Sequence, residues 1–142
     1  MKKNNTISLF AVSFKQGFVS PKIPIATFYQ GDKKLNFLLD SGSDKNVVDQ
    51  KTLDSIEHEI ISEGTTSLSG VGGVTKVDTC RVKFKCDDEE YTEDFLVADL
   101  SEAFGMIEND HCITIHGIIG STFLRQNNVV MDFQNLVAYS KK

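Results

Sequence analysis

Short apolar or alternating segments, broken by turn residues about every 8–12 positions, run through this chain, and that rhythm points to an all-β fold. Residues 22–30 (KIPIATFYQ) and 34–40 (KLNFLLD) flank Gln30-Gly31-Asp32-Lys33 and are predicted to form a hairpin. Residues 64–69 and 74–85 flank Gly70-Val71-Gly72-Gly73, which predicts a second hairpin with a pliable tip. Cys86-Asp87-Asp88-Glu89-Glu90 precedes a strand at 91–98. It reads as a solvated turn, since the ligand spacing and glycine of a calcium loop are missing. Ile115 to Ile119 is a short apolar strand, Gly120-Ser121 opens a helix through Asn127, and residues 128–133 and 136–140 make a last hairpin around Gln134-Asn135. Thr52 to Ile60 is expected as a short helical turn, whereas residues 99–114 carry no legible pattern. The expected fold is a closed barrel or sandwich with one short helix late in the chain.

At 142 residues the chain has room for one cored lobe. Two lobes that each supply half of a site do not fit, so chemistry needing two copies of a motif needs a second chain. The net charge of -5 leaves no electrostatic footprint for nucleic acid. No segment approaches the roughly 20 apolar residues of a membrane-spanning helix. Met1-Lys2-Lys3 resembles the head of a secretory signal, but the apolar run Ile7 to Phe14 is short, contains two serines and lacks a cleavage site. Residues 1–21 are expected as an N-terminal strand or arm, and 22–142 as the domain. Cys80, Cys86 and Cys112 are an odd, widely spaced set, which fits free thiols and a cytoplasmic protein. His111, Cys112 and His116 lie close in sequence, but no CxxC or HExxH accompanies them, so neither a metal nor another cofactor is expected.

The segment richest in chemistry is Phe37-Leu38-Leu39-Asp40-Ser41-Gly42-Ser43. An apolar strand delivers a carboxylate straight into a loop of small polar residues. Gly42 permits a tight path that lets main-chain N–H groups approach the acid, while Ser41 and Ser43 add hydroxyls beside it. A rigid base carrying a hydrogen-bonded carboxylate is what a functional site requires. Taken alone, Asp-Ser-Gly is more often a turn with a capping Asp.

With two further segments the chain resembles the retropepsin-like aspartic proteases. Leu38 to Ser43 matches their apolar strand ending in Asp-Thr/Ser-Gly-Ala/Ser. Ser69-Gly70-Val71-Gly72-Gly73-Val74-Thr75-Lys76-Val77 looks like their glycine-rich flap. His116-Gly117-Ile118-Ile119-Gly120-Ser121-Thr122-Phe123-Leu124 looks like the strand, glycine and short helix that complete their fold. Val129-Val130-Met131-Asp132-Phe133 resembles the strand that follows in cellular and bacterial members. The resemblance covers about residues 20–140.

This resemblance implies an aspartic endopeptidase. Asp-Ser-Gly occurs once, so Asp40 would meet Asp40 of a second chain across a two-fold axis in a homodimer. Ser41 would hydrogen-bond across that axis, and Gly42 would offer backbone contacts. Ser43 would bond an Asp40 oxygen, favouring ionisation and a more acidic working range. Gly70, Val71, Gly72, Gly73 and Val74 would form the flap that closes over an extended protein or peptide substrate. Ile118, Ile119 and Gly120 would support the catalytic loop. Val74 stands where retroviral members carry a larger apolar tip, and residues 136–140 read as a local hairpin rather than a terminus interleaved with a partner. Two other readings remain open. One is a retropepsin-like module of weak or absent activity that binds peptides or dimerises. The other is an unrelated small β-barrel that binds a ligand.

Overall fold

The computed structural model describes residues 10–70 and 73–140. The flap-tip residues Val71 and Gly72, the signal-like Met1-Lys2-Lys3 and the rest of the arm before Phe10 lie outside the described residues. Within them the chain forms β1 (Ala11–Ser13), α1 (Lys15–Val19), β2 (Ile25–Gln30), β3 (Lys33–Asp40) and β4 (Val47–Asp49). A 3₁₀ turn at Gln50–Asp54 precedes β5 (His58–Gly70), β6 (Gly73–Cys86), β7 (Glu89–Ala98) and α2 (Ser101–His111). The chain continues with β8 (Gly117–Gly120), α3 (Ser121–Gln126), β9 (Val129–Asp132) and β10 (Val137–Ser140).

Seven strands form one sheet in the order β2-β3-β8-β4-β7-β6-β5. An extra pairing of Tyr29 in β2 with Lys85 in β6 curls this sheet back on itself. The other three make a small sheet in the order β1-β10-β9. Local chemistry sets the hairpins. Gly31 sits at φ 62, as the β2–β3 turn requires, and Asp87 at φ 54 turns β6 into β7. The Asp132 carboxylate accepts N–H bonds from Gln134 and Asn135, at 2.9 and 3.0 Å, and shapes the β9–β10 turn. Those bonds, with the Asn135 side chain first among them, hold the Asp132 pKa below the usual carboxylate range.

Alternation along the strands fills the space inside the curl with rings. Phe10, Phe14, Phe28, Phe37, Phe84, Phe95 and Phe123 are all fully buried. Phe84 is the hub, its ring lying 5.3–6.0 Å from Phe28, Phe37, Tyr91, Phe95 and Phe123. Full burial of each such side chain contributes on the order of 1.5–3 kcal/mol. Phe10 and Phe14, from the expected N-terminal arm, belong to this main cluster.

Three features were not legible in the strand pattern. Val47–Asp49 is a short strand between β7 and β8. The helical turn expected at 52–60 falls earlier, at Gln50–Asp54, because β5 begins at His58. The unreadable stretch 99–114 holds α2, which begins where Asp99 accepts the Ser101 N–H at 3.0 Å. Phe104 of α2 packs with Ile25 and Ile115 in a second apolar cluster that also takes Leu38, Ile107 and Ile118.

Candidate active site

Asp40 is the last residue of β3. It stands opposite Gly120 in a parallel ladder that also pairs Leu39 with Ile119 and Leu38 with Ile118. Leu39 and Ile119 are buried in the main core, so the strand end that presents Asp40 is anchored from beneath. The half-buried carboxylate accepts the Gly42 N–H on Oδ1 at 2.9 Å. A Cβ at Gly42 would stand 3.2 Å from the same oxygen, so glycine gives the acid its room. Ser41 and Gly42 are exposed beside it.

The Ser43 hydroxyl behaves differently from expectation. It donates to the Lys45 carbonyl at 2.7 Å, while the Ser43 N–H reaches the Asp40 main-chain oxygen at 3.2 Å. The loop curls so that the hydroxyl closes a local turn, and its single proton is spent there rather than on the Asp40 carboxylate. The expected acidic bias from Ser43 therefore loses its physical basis in this arrangement.

The same loop is strapped to β8 and α3. Ser121 N–H donates to the Ser43 carbonyl at 2.6 Å, and Thr122 Oγ1 donates to the Asp44 carbonyl at 2.7 Å. Asn46, just before β4, is buried and bridges β7 and β8. Its Oδ1 accepts the Gly120 N–H at 2.9 Å, its Nδ2 donates to the Asp94 carbonyl at 3.3 Å, and its carbonyl accepts Leu96 N–H at 2.9 Å. A buried amide satisfied on both ends fixes geometry well. Sequence reading passed over Asn46, because a lone Asn after a polar loop carries no periodic or motif signal.

Gly120 fits against the loop backbone with no spare space. A Cβ there would lie 2.5 Å from the Lys45 carbonyl oxygen and 2.7 Å from that of Ser43. Backbone cannot step aside as a flexible side chain would. Gly120→Ala should therefore lower stability by about 1–3 kcal/mol and push the Asp40 loop out of place. Thermal melts and peptide-cleavage assays on the same preparation would check both effects.

Of the flap, Ser69 pairs with Val74 and Gly70 with Gly73 at the described end of the β5–β6 hairpin. Gly73 adopts φ 115, a conformation that glycine alone accepts readily, and Val74 is 68% exposed. Lower on the hairpin arms, Thr66 and Thr79 line a groove of about 640 Å³ together with Asp44, Lys45, Asn46 and Glu93. Burial, and then the neighbouring Asp94 charge, raise the Glu93 carboxyl above its ordinary pKa. Ile118 faces the other way, into the α2 cluster, and supports β8 from outside. His116 lies away from Asp40; its Nδ1 accepts the Asn36 N–H at 2.9 Å, and burial lowers its pKa. Cys80, Cys86 and Cys112 are unpaired, with burial first among the causes that push the Cys80 thiol up to about 11.

A curled β-sheet with a strand-end acid in an Asp-Ser-Gly loop, joined to a glycine-tipped hairpin, defines a retropepsin-like aspartic protease fold. The chain belongs to the aspartyl protease family, whose model matches residues 26–123. Among solved structures it resembles the protease of EIAV complexed with the inhibitor HBY-793, with 24% identity and a TM-score of 0.53 over 75% of this chain and 89% of that one. No curated protein sequence matches it.

Proposed function

We propose that this chain is an aspartic endopeptidase whose dyad is formed by Asp40 of two identical copies, acting on an extended protein or peptide. One observation carries the reading. The lobe described here holds one Asp-Ser-Gly, and its acid is fixed at a strand end by the Gly42 N–H and by an immovable backbone at Gly120.

Two such carboxylates in contact share one proton, since like charges at short range do not both ionise readily. The ionised member takes a proton from a water as the water oxygen attacks the scissile carbonyl carbon. The protonated member gives its proton to the carbonyl oxygen, producing a geminal diol. Collapse moves a proton to the amide nitrogen and breaks the C–N bond. The products are an acid and an amine, and the dyad again holds one proton. The two carboxyls titrate as a pair, with pKa values that belong to the dyad. Ser41, exposed beside Asp40, would tie the two loops together across the axis. Gly70, Val71, Gly72, Gly73 and Val74 would close over the substrate, whose strand would bond to flap backbone.

A dilution series tests the reading. Below the dimer dissociation constant, the cleavage rate should rise with the square of protein concentration; above it, linearly. A rate that stays linear through all dilutions would place a complete site in one chain and defeat the proposal. Absence of cleavage in a dimeric sample would favour the peptide-binding module instead.

A further inference from the structure

A knot of hydrogen bonds lies on β3 upstream of Asp40. Asn36 belongs to β3, and His116 immediately precedes β8. His116 N–H donates to the Asn36 carbonyl at 2.8 Å, and the Asn36 N–H donates to His116 Nδ1 at 2.9 Å. The Asn36 side chain donates to the Thr114 carbonyl at 2.8 Å and accepts the Thr27 hydroxyl at 2.7 Å. The His116 carbonyl receives the Asp49 N–H at 2.9 Å. Strands β2, β3 and β4 and the approach to β8 are thus joined at one point. The β3–β8 ladder that starts beside it, at Phe37↔Gly117, ends at Asp40↔Gly120.

One bond in the knot differs in kind. In a parallel ladder a strand N–H is received by a carbonyl, which stays an acceptor at any ordinary pH. The Asn36 N–H is received by a ring nitrogen instead. That nitrogen accepts only while it carries no proton, so the imidazole is neutral and holds its proton on Nε2. A second proton would set a donor against a donor. The half-buried ring lines two openings, of about 510 and 330 Å³, through which protons reach it.

The charges around the ring are mixed. Glu108 of α2 and Asp49 of β4 line the first opening with Lys51, Lys34 of β3 lines the second, and Cys112 lines both. The two carboxylates favour the imidazolium. Each already accepts a main-chain N–H, Glu108 from Ile115 at 2.7 Å and Asp49 from Leu100 at 2.9 Å. Burial outweighs them and holds the ring below its ordinary pKa of 6.5.

We propose that His116 is a pH-sensitive latch: when neutral it pins β3 to the start of β8 behind Asp40, and its protonation releases that tie. The fold holds the neutral ring, so as pH falls the unfolded chain takes up the proton first. The stability that the latch contributes is complete above pH 6.5 and is lost as pH falls through the lower folded value. For the endopeptidase proposed above, on which this consequence alone rests, the latch limits the acid side of the working range. An Asp dyad still shares its proton there, but the strand that presents it loosens.

Thermal melts of wild type and His116→Asn between about pH 7.5 and about pH 5 test the latch, because the asparagine oxygen accepts an N–H and does not titrate. Over that range wild type should lose roughly 3–6 °C more than the variant. Nuclear magnetic resonance on the wild-type chain gives a second arm that needs no variant. The His116 ring should titrate with a midpoint below 6.5, and the Asn36 amide should shift with the same midpoint. A ring that titrates at or above 6.5 overturns the latch, as does an Asn36 amide that ignores the titration or an equal pH dependence of the two melts. None of these measurements uses a substrate, so they decide the latch whether or not the chain cleaves peptides. In active protein the acid limb of the cleavage profile should move to lower pH in His116→Asn, and an unmoved limb would refute the hold of the latch on the site.

Discussion

Asp40→Asn protein should fold, dimerise and cleave peptides roughly 10³–10⁴-fold more slowly than wild type, the upper part of the range for a positioned acid–base group. The structural cost of the change is small. Asparagine keeps an oxygen for the Gly42 N–H, and the side chain is only half buried. The chemical cost is large, because an amide neither accepts the proton of the attacking water nor donates one to the carbonyl oxygen. A mixing experiment extends the test to the shared dyad. Excess Asp40→Asn chain added to a fixed amount of wild type should suppress cleavage, as wild-type chains are drawn into mixed dimers holding one acid. Retained cleavage in pure Asp40→Asn protein would end the assignment. Unchanged activity on mixing would mean that each site draws on one chain.

Phe84→Ala should cost about 3–5 kcal/mol, the range for truncating a buried aromatic side chain. The ring is 1% exposed and touches five other rings drawn from β2, β3, β7 and α3. These elements are held in place by hydrogen-bonded sheet and cannot collapse into the void. Native domains hold about 5–15 kcal/mol in total, so the loss is a large share of it. A melting temperature lower by about 10–20 °C at fixed protein concentration is expected. Val19→Ala, at a site 70% exposed, should move it little. A Phe84→Ala melt indistinguishable from wild type would contradict the packing described here.

What could be read in the residues, and what could not, divides along a physical line. The hairpins β2–β3, β6–β7 and β9–β10 were legible because their turn residues and alternation are local. Asp40 was legible because a strand, an acid and Ser41-Gly42 stand consecutively. Helix α2 was illegible because Gly105 interrupts it and its apolar face is thin; Phe104 and Ile107 acquire a reason to be helical only against Ile25, Leu38 and Ile118. Val47–Asp49 is too short to announce itself, and takes its strand form from pairing with both β7 and β8.

The site divides in the same way. Sequence by itself determined the acid, its small neighbours and the glycine run between β5 and β6. Tertiary structure decided the rest. It turned the Ser43 hydroxyl to Lys45, set Asn46 as a buried bridge to Gly120 and Asp94, and left no room for a side chain at Gly120. It also tied β1 to β10 within one chain and set β9 along the groove that Asp40 lines. Each of these depends on which distant backbone groups come within hydrogen-bonding or van der Waals range, and that distance is a property of the closed sheet rather than of any stretch of residues.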